Sequence, residues 1–397
     1  MLDLAPNVPV LDLDPFSDAF LTDPFPGHHA MREAGPVVWL PRYGVYAMAR
    51  HAEVIASLHD WEAFCSSRGV GLIDFAKTPP WRPASLLLEA DPPTHDQARM
   101  VINPLLRPPT MNALRTQWRA LADQMIDALA ARGRFDAASD LAEVFPLKAF
   151  GDAVGLPEEG REHLLAYGDM VFNAYGPPNH LLQEATRRSQ GALAWVAANC
   201  KRERLSPGGM GAAVFAAADR GEITEEEGER LVRSFLSAGF DTTVGGLSAV
   251  IYALATHPEA WRALKADRSL VRSAFEEALR WASAVQLFLR TTTREVEVAG
   301  VTIPEGSKVA LFLAAANRDP RVWPQPDVFD IHRKPTGHVA FGSGIHACWG
   351  QLIARVESEA VLGALLDRVD TLVLDGEPKV RLNNSLRAFS SLPVRVS

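Results

Sequence analysis

The chain has 397 residues, 47% hydrophobic and 22% charged, with a formal net charge of −8. This composition is typical of a soluble globular protein and argues against general disorder. The negative charge disfavours nucleic acid and anionic membranes as general partners. Three widely spaced cysteines, Cys65, Cys200 and Cys348, argue against a disulfide framework, and no zinc-ligand spacing occurs.

The N-terminal sequence has neither a basic segment nor a long apolar run, so it indicates neither secretion nor a membrane anchor. We therefore expect a cytoplasmic protein. The length would suffice for two or three average domains, but one large domain is equally consistent because no linker-like tract interrupts the chain. We predict a single domain over residues 1–397.

The first third of the chain predicts little regular structure. Residues 1–30 are rich in Asp and Pro and are typical of an extended arm. Strand patterns follow at 37–40 and 45–49, and a short helix is predicted over 51–58. Glycines and prolines interrupt residues 65–89, which are nevertheless too apolar for disorder, and long loops inside a domain are usually functional.

Helical periodicity then dominates to about residue 285, which predicts a mainly α protein with small β-sheets. The longest predicted helix covers residues 224–256, on the order of 50 Å at ~1.5 Å per residue. Its segment 237–243 contains Gly239 and two threonines, residue types that weaken a helix interior. Short strands are predicted at 285–290, 295–298, 308–312 and 391–396.

Two spacings on helices bring charged groups together. Thr94 can cap a helix on which His95 and Arg99, four residues apart, share one face. Two cationic groups suit a dianionic ligand, and a solvated polar face is the alternative. Glu277 and Arg280 stand at i and i+3, a common helical ion pair that is weak as a motif alone.

The stretch F-G-S-G-I-H-A-C-W-G, residues 341–350, places Cys348 in a glycine-framed loop directly before a helix-forming run. Free backbone N–H groups and the helix dipole favour a thiolate at such a junction. A thiolate there is a good iron ligand, and Gly342 and Gly344 let a flat ligand approach closely. A structural cysteine beside a glycine-rich turn is the alternative.

This loop, through Phe341, Gly344, His346, Cys348 and Gly350, resembles the cysteine-ligand loop of the cytochrome P-450 superfamily of haem-thiolate monooxygenases. With the other motifs in the same order, the resemblance covers nearly the whole chain. It implies the P-450 fold, in which a long distal helix crosses the domain over a buried haem. Trp349 departs from the pattern, because the family usually has a smaller aliphatic residue there.

The resemblance also assigns roles to single residues. It implies haem b with Cys348 as the iron ligand, and dioxygen as cosubstrate. Segment 237–243 is then a dioxygen groove rather than a harmless kink, with Asp241 and Thr242 delivering protons, and Glu277 and Arg280 lock their helix to residues 319–338. The residues implied to bind the haem are His95, Arg99, Arg290, His346, Phe341 and Gly350.

Electrons must come from outside, because the chain has no flavin or nicotinamide fingerprint and no second cysteine cluster. The resemblance implies a soluble iron–sulfur ferredoxin and its reductase, supplied ultimately by NADH or NADPH. We expect a basic patch on the cysteine face to steer the acidic ferredoxin. We expect a monomer without nucleic-acid or membrane partners.

Residues 81–85, 172–178 and 233–237 resemble the bacterial para-substituted benzoate monooxygenases, the 4-methoxybenzoate O-demethylases. A carboxylate in an apolar pocket needs hydrogen-bonding partners. The implied substrate-binding residues are Arg82, Ser85, Arg233, Ser234 and Ser237 for the carboxylate, and Leu88, Phe172, Tyr175, Val285 and Phe288 for the ring.

Other interpretations stay open at this point. Arg82 and Arg233 are alternatively surface charges. The enzyme is alternatively a monooxygenase of another small apolar metabolite, a peroxide-driven haem-thiolate enzyme or a haem ligand sensor. The Asp241 and Thr242 pair argues against the peroxide-driven enzyme and the sensor, since neither of them needs protons delivered to dioxygen.

Overall fold

The structure is a computed structural model that describes residues 8–397. Most of the chain is helical, and the helices surround the region where the cysteine loop lies. The α-helices are α1 Asp18–Thr22, α2 Phe25–Ala34, α3 His51–His59, α4 Thr94–Ile102, α5 Pro108–Arg132, α6 Val144–Val154, α7 His163–Asn173, α8 His180–Arg188, α9 Ala192–Asn199, α10 Met210–Asp219, α11 Glu225–Ala238, α12 Asp241–Thr256, α13 Pro258–Ala266, α14 Val271–Ala282, α15 Leu313–Ala316 and α16 Gln351–Arg368.

The strands are short and form small sheets, which confirms the predicted fold class. A five-stranded sheet has the order β1-β2-β8-β5-β3, in which only β2 and β8 are parallel. A three-stranded sheet has the order β4-β12-β9, and β6–β7 and β10–β11 form separate pairs. The strands are β1 Val38–Leu40, β2 Val45–Met48, β3 Phe64–Cys65, β4 Arg134–Asp136, β5 Phe288–Thr292, β6 Val296–Val298, β7 Val301–Ile303, β8 Lys308–Leu311, β9 Leu372–Leu374, β10 Lys379–Arg381, β11 Ala388–Ser391 and β12 Pro393–Val396.

The extended arm predicted for residues 1–30 is wrong where it can be compared with the structure. Helices α1 and α2 occupy residues 18–34, and residues 1–7 of the predicted arm lie outside the described part of the chain. The side chain of Ser17 accepts a hydrogen bond from the Phe20 N–H and caps α1. Pro24 and Pro26 stand at the start of α2, where a missing N–H costs nothing. Residues that suggested an extended chain are therefore helix-start residues.

The predicted helix over 224–256 is present as two helices, α11 and α12, interrupted at Gly239 and Phe240. A capping box between Thr224 and Glu227 starts α11. A Cβ on Gly239 would lie 2.3 Å from the ring of Phe150, so only glycine permits this close approach. Residues 225–256 are long and apolar enough to span a membrane, but 78% of the apolar window is buried inside the protein. Helices α11 and α12 therefore belong to the core of the protein.

Helix α14 holds the irregular segment 319–338 through a buried ion pair. Arg280 Nε donates to Glu277 Oε2 at 2.7 Å, and both side chains are fully buried. Arg280 Nη1 also donates to the carbonyl of Pro326 at 2.8 Å, and Arg333 Nε donates to Glu277 Oε1 at 3.0 Å. The pair thus contacts the segment that the sequence expected it to anchor.

Candidate active site

One apolar cavity lies between the cysteine loop, α11, the start of α12 and the loop that precedes α4. Its wall brings together residues that are up to 296 positions apart in the sequence, from Leu58 to Ala354, which the order of motifs alone does not show. The predicted substrate residues that line it are Arg82, Ser85, Leu88, Phe172, Tyr175, Arg233, Ser234, Ser237, Val285 and Phe288. The predicted cofactor and relay residues that line it are Arg99, Thr242, Arg290, Phe341, His346, Cys348 and Gly350. His95 and Asp241 are buried but do not form part of the wall.

The cysteine loop is held tightly against the end of α3. Gly344 has φ +67°, and a Cβ there would lie 2.4 Å from the carbonyl oxygen of Leu58, so both the conformation and the contact require glycine. The Cys348 N–H donates to the carbonyl of Phe341 at 2.8 Å and closes the loop. Helix α16 begins three residues after the sulfur.

The N–H groups at the start of α16 favour the Cys348 thiolate, as the sequence predicts, but burial outweighs them. Burial raises the pKa of the Cys348 thiol, and the N–H groups of Gly350 and Gln351 only oppose that rise. A bound metal cation, by contrast, deprotonates a coordinating thiol outright. A cationic metal therefore has to supply the stabilisation that the loop by itself does not.

A cluster of cationic side chains lies beside the cysteine loop. Arg99 Nε donates to His95 Nε2 at 3.3 Å, which confirms that the two share a face of α4. Thr94 is not the predicted cap, because it is the first residue of α4 and makes no capping hydrogen bond. Arg290 is buried, and burial lowers its pKa to about 10 while Asp91 opposes the shift.

His346 completes this cluster and is incompletely bonded. Its Nδ1 lies 3.1 Å from the carbonyl of Leu87, whereas Nε2 is 3.7 Å from Asp91 and has no hydrogen-bond partner within residues 8–397. Buried polar atoms are normally satisfied, so an unpartnered one beside two arginines indicates a ligand with anionic groups. The sulfur and the cations line one cavity, and this donor set fits an iron porphyrin with two propionates.

Trp349 is accommodated by two neighbours that its position in the sequence did not indicate. Its indole N–H donates to the carbonyl of Ile102 at 3.2 Å, at the end of α4. Its ring stacks on Phe235 of α11, with centroids 5.0 Å apart and planes inclined by 17°. The larger residue therefore contacts both α4 and α11 and lines the cavity.

The distal helix places Thr242 on the cavity wall and Asp241 behind it. Thr242 Oγ1 donates to the carbonyl of Ala238 at 2.7 Å. Asp241 Oδ1 accepts from Arg381 Nη2 at 2.7 Å, while its Oδ2 has no partner in the described chain. Burial raises the pKa of Asp241 to about 6, although Arg381 opposes the shift. Sequence reasoning missed Arg381, which lies 140 residues away on β10.

The opposite end of the cavity is polar and internally bonded. Arg82 Nη1 donates to Glu89 Oε2 at 2.9 Å, and Arg233 Nη2 donates to the carbonyl of Pro83 at 2.8 Å. The hydroxyls of Ser85 and Ser234 lie 3.1 Å apart. Glu89 was also missed, because nothing in its local sequence distinguishes it from a surface carboxylate.

Aromatic rings form the wall between the two ends. The Tyr175 ring meets Phe172 edge-on at 5.7 Å and Phe288 edge-on at 5.8 Å. Val285 and Leu88 complete this apolar section. Such edge-to-face aromatic walls suit one flat ring between them. The wall of the cavity therefore has three sections: a polar one around Arg82 and Arg233, called the substrate end, an apolar aromatic one, and the one that carries Cys348, called the cysteine end.

Known proteins that are similar to this chain belong to the haem-thiolate class that the cavity indicates. Residues 210–396 match the cytochrome P-450 family. CYP199A2 of Rhodopseudomonas palustris is 55% identical over 392 residues, covering 98% of this chain and 95% of that protein. The vitamin D(3) 25-hydroxylase of Pseudonocardia autotrophica is 32% identical, with 96% of each chain covered.

Solved structures show the same fold. CalO2 superimposes with a TM-score of 0.85 at 27% identity, covering 97% of this chain and 98% of that chain. Cytochrome P-450 CREJ, solved in complex with (4-ethylphenyl) dihydrogen phosphate, has a TM-score of 0.86 at 25% identity, covering 97% and 99%. This chain belongs to the cytochrome P-450 family, so it is a monooxygenase with a haem, a cysteine thiolate ligand and dioxygen as cosubstrate.

Proposed function

We propose that this enzyme oxidises small para-substituted benzoates and removes the methyl group of 4-methoxybenzoate. The observation that carries the proposal is the charge at the polar end of the cavity. Two guanidinium groups, Arg82 and Arg233, line that end, and one carboxylate, Glu89, is bonded to Arg82. On the wall itself one positive charge is left over, and an excess charge that is partly buried is costly unless a ligand neutralises it. A monocarboxylate supplies one negative charge.

Hydrogen-bond donors surround this excess charge. Ser85, Ser234 and Ser237 line the same end, and Arg82 Nε is buried without a hydrogen-bond partner among the described residues. Charge-assisted hydrogen bonds from such groups to a carboxylate are short and strong. CREJ, whose fold is the same, was solved with a para-substituted aryl anion, which supports the pairing of a ring with an anionic group.

The position of the reacting group follows from the shape of the cavity. A rigid ring held by its carboxylate between Phe172, Tyr175 and Phe288 presents its para substituent to the opposite end, where Cys348 lies. Hydroxylation of a para methoxy carbon gives an unstable hemiacetal, which breaks into 4-hydroxybenzoate and formaldehyde. The 2- and 3-methoxy isomers hold their methyl groups away from that end and should react slowly.

We assign the cofactor contacts as follows. Cys348 would be the iron ligand, Arg99 and Arg290 would neutralise the propionates, and His95 and His346 would contribute polar contacts, with Phe341 and Gly350 shaping the ligand loop. When bound, haem with a thiolate ligand would supply the activation of dioxygen for insertion into C–H bonds.

The chain itself manages protons and water at this site. Thr242 offers a hydroxyl at the cavity wall, and Asp241 stands behind it with one free carboxylate oxygen in the described structure. A pKa near 6 lets Asp241 exchange protons at neutral pH, so it is suited to pass protons from the protein surface towards Thr242. Each turnover needs two protons, and both would follow this route.

We also propose a soluble ferredoxin and its reductase as the electron source, with NADH or NADPH as the reductant, in a cytoplasmic single-domain monomer. Arginines on α5 and beside α16, the helix that follows the cysteine loop, are candidates for the expected basic patch, but several are paired. Arg115 faces Glu359 at 3.4 Å and Arg268 faces Asp367 at 3.3 Å. Steering by this surface should therefore be sensitive to salt and moderate in strength.

The proposal is tested by replacing Arg82. A charge-assisted hydrogen bond contributes about 1.5–3 kcal/mol, so Arg82→Ala should weaken 4-methoxybenzoate binding by roughly tenfold or more, measured from the Soret shift on titration. The exposed Arg262→Ala is the matched control and should bind like wild type. The methyl ester should bind poorly to wild type and lose little more in Arg82→Ala.

Product analysis separates this function from the alternatives. Turnover with ferredoxin, reductase and NADH supports a monooxygenase cycle, whereas product that forms only with added peroxide would indicate a peroxide-driven enzyme. Binding without product under either condition would indicate a sensor. Equal turnover of the three methoxybenzoate isomers, or equal binding of acid and ester, would remove the benzoate proposal.

A further inference from the structure

Glu89 is a buried carboxylate directly behind the polar end of the cavity. Its side chain is 3% exposed, and Arg82, to which it is bonded, is 9% exposed. Glu89 Oε2 also accepts from the backbone N–H of Ser85 at 2.8 Å. The same carboxylate oxygen therefore fixes both the arginine and the loop that carries Ser85.

The charged groups around this end can be counted. On the loop they are Arg82 and Glu89, and on α11 they are Arg233, which lines the wall, and Arg230. Arg230 does not line the cavity and donates to the carbonyl of Ala84 at 2.7 Å. No aspartate or glutamate within residues 8–397 lines the cavity.

We propose that Glu89 selects ligands by charge: it cancels one of the two wall arginines, so that the pocket accepts a monoanionic aryl carboxylate and rejects a dianionic aryl phosphate of the same shape. This inference rests on the proposed function, because it concerns the same anion site. It assigns specificity to a residue that does not touch the ring. Without Glu89 the wall would carry two positive charges and would suit a dianion.

The electrostatic argument gives a relation between the two ligands. The Coulomb energy between Glu89 and a bound anion is proportional to the charge of that anion. A phosphate monoester carries about −1.5 to −2 at pH 7, against −1 for a carboxylate. Removing the charge of Glu89 should therefore raise the affinity for the phosphate dianion by nearly the square of the factor for the carboxylate. Because wild type binds the phosphate as its monoanion, the total gain for the phosphate lies between that factor and its square.

The first experiment compares Glu89→Gln with wild type. The amide oxygen of glutamine can still accept from Arg82 and Ser85, so the variant removes the charge and keeps the hydrogen bonds. We expect 4-ethylbenzoate to bind about tenfold more tightly and 4-ethylphenyl phosphate to gain several times more than that at pH 7.5. The exposed Glu377→Gln makes the same change in net charge and should alter neither affinity. Equal factors for the two ligands in Glu89→Gln would overturn the inference.

The second experiment uses the wild-type holoenzyme and does not depend on a variant that folds. If the pocket tolerates one negative charge, 4-ethylphenyl phosphate must take up about one proton when it binds at pH 7.5, because its second pKa is about 6. 4-Ethylbenzoate should bind as the anion without proton uptake. Titration calorimetry in two buffers of different ionisation enthalpy measures both numbers.

The outcomes distinguish the two levels of the proposal. Phosphate that binds wild type as a dianion, or benzoate that takes up a proton, would overturn charge selection by Glu89. In either case tight binding of benzoate and weak binding of its ester would leave the proposed function intact. If wild type bound neither acid, the proposed function itself would fail.

Discussion

The two ends of the cavity stabilise their buried polar and charged groups in different ways. At the cysteine end, His346 keeps a buried nitrogen without a partner in residues 8–397, and Arg290 has its pKa lowered by burial. At the substrate end, Arg82 is already bonded to Glu89 within the protein. The first end is complete only with a bound group. The second is organised in advance and leaves a single charge for its ligand.

The largest expected effect is at the cysteine end. Replacing Cys348 by alanine should abolish the strongly red-shifted Soret band of the reduced protein under carbon monoxide, because that band requires thiolate ligation. Cys65→Ala and Cys200→Ala, at buried cysteines outside the cavity wall, should retain the band. A band that survives Cys348→Ala would show that another residue binds the iron.

The cysteine end was also the more predictable end from sequence. Its loop is contiguous, and the positive φ of Gly344 is a local requirement, so short-range pattern carries most of the information, although the contact of Gly344 with Leu58 is long-range. The pairing of His95 with Arg99 follows from helical spacing. The partners of Trp349 could not be predicted, because Phe235 reaches it only through the packing of α11 against the cysteine loop.

The second prediction concerns the support beneath the cysteine end. Glu277→Ala leaves Arg280 and Arg333 without their buried carboxylate, and breaking such a pair costs about 3–5 kcal/mol. The free energy of unfolding, measured with denaturant on the holoenzyme, should fall by that amount. The control Glu359→Ala breaks the half-exposed contact with Arg115 and should cost less than about 1 kcal/mol. Similar losses for both variants would mean that the Glu277 pair is not an anchor.

The third prediction tests the wall between the two ends. Thr242→Ala should lower product formed per NADH consumed severalfold, with more of the reductant ending as hydrogen peroxide, because the cavity loses the hydroxyl that directs protons. Ser248→Ala deletes a buried hydroxyl of the same helix, bonded to the carbonyl of Val244 at 2.7 Å, and should leave the yield unchanged. An unchanged yield in Thr242→Ala would remove Thr242 from the mechanism.

The substrate end and the proton route were only partly predictable, for a physical reason. The sequence indicates residue types on a loop and a helix, and the structure confirms that Arg82 and Arg233 share one wall. The groups that set their charge balance come from elsewhere. Arg381 reaches Asp241 from a C-terminal strand, and Glu89 acquires its role only when the loop folds back on Arg82. Electrostatic partners that are far apart in the chain leave no periodic pattern in the sequence, so they could not be predicted from it.

The smallest expected effect is a shift in pH dependence, produced by Arg381→Gln. The pKa of Asp241 is raised to about 6, because burial, Asp169 and Glu143 raise it by more than Arg381 lowers it. Removing that charge should move the acid limb of product formation upward by about one pH unit, since an opposite charge in contact shifts a carboxyl pKa by at least that much. At pH 7 more Asp241 would then be protonated and unable to accept a proton, so the rate should fall and should recover as the pH rises.

Asp241→Asn, which cannot titrate, should be slow at every pH. The exposed Arg395→Gln removes a positive charge from β12, away from Asp241, and should keep the wild-type midpoint. A midpoint that stays near pH 6 in Arg381→Gln would mean that the rate-limiting proton does not pass through Asp241, and the functional difference between the two ends would then rest on the cofactor and substrate contacts alone.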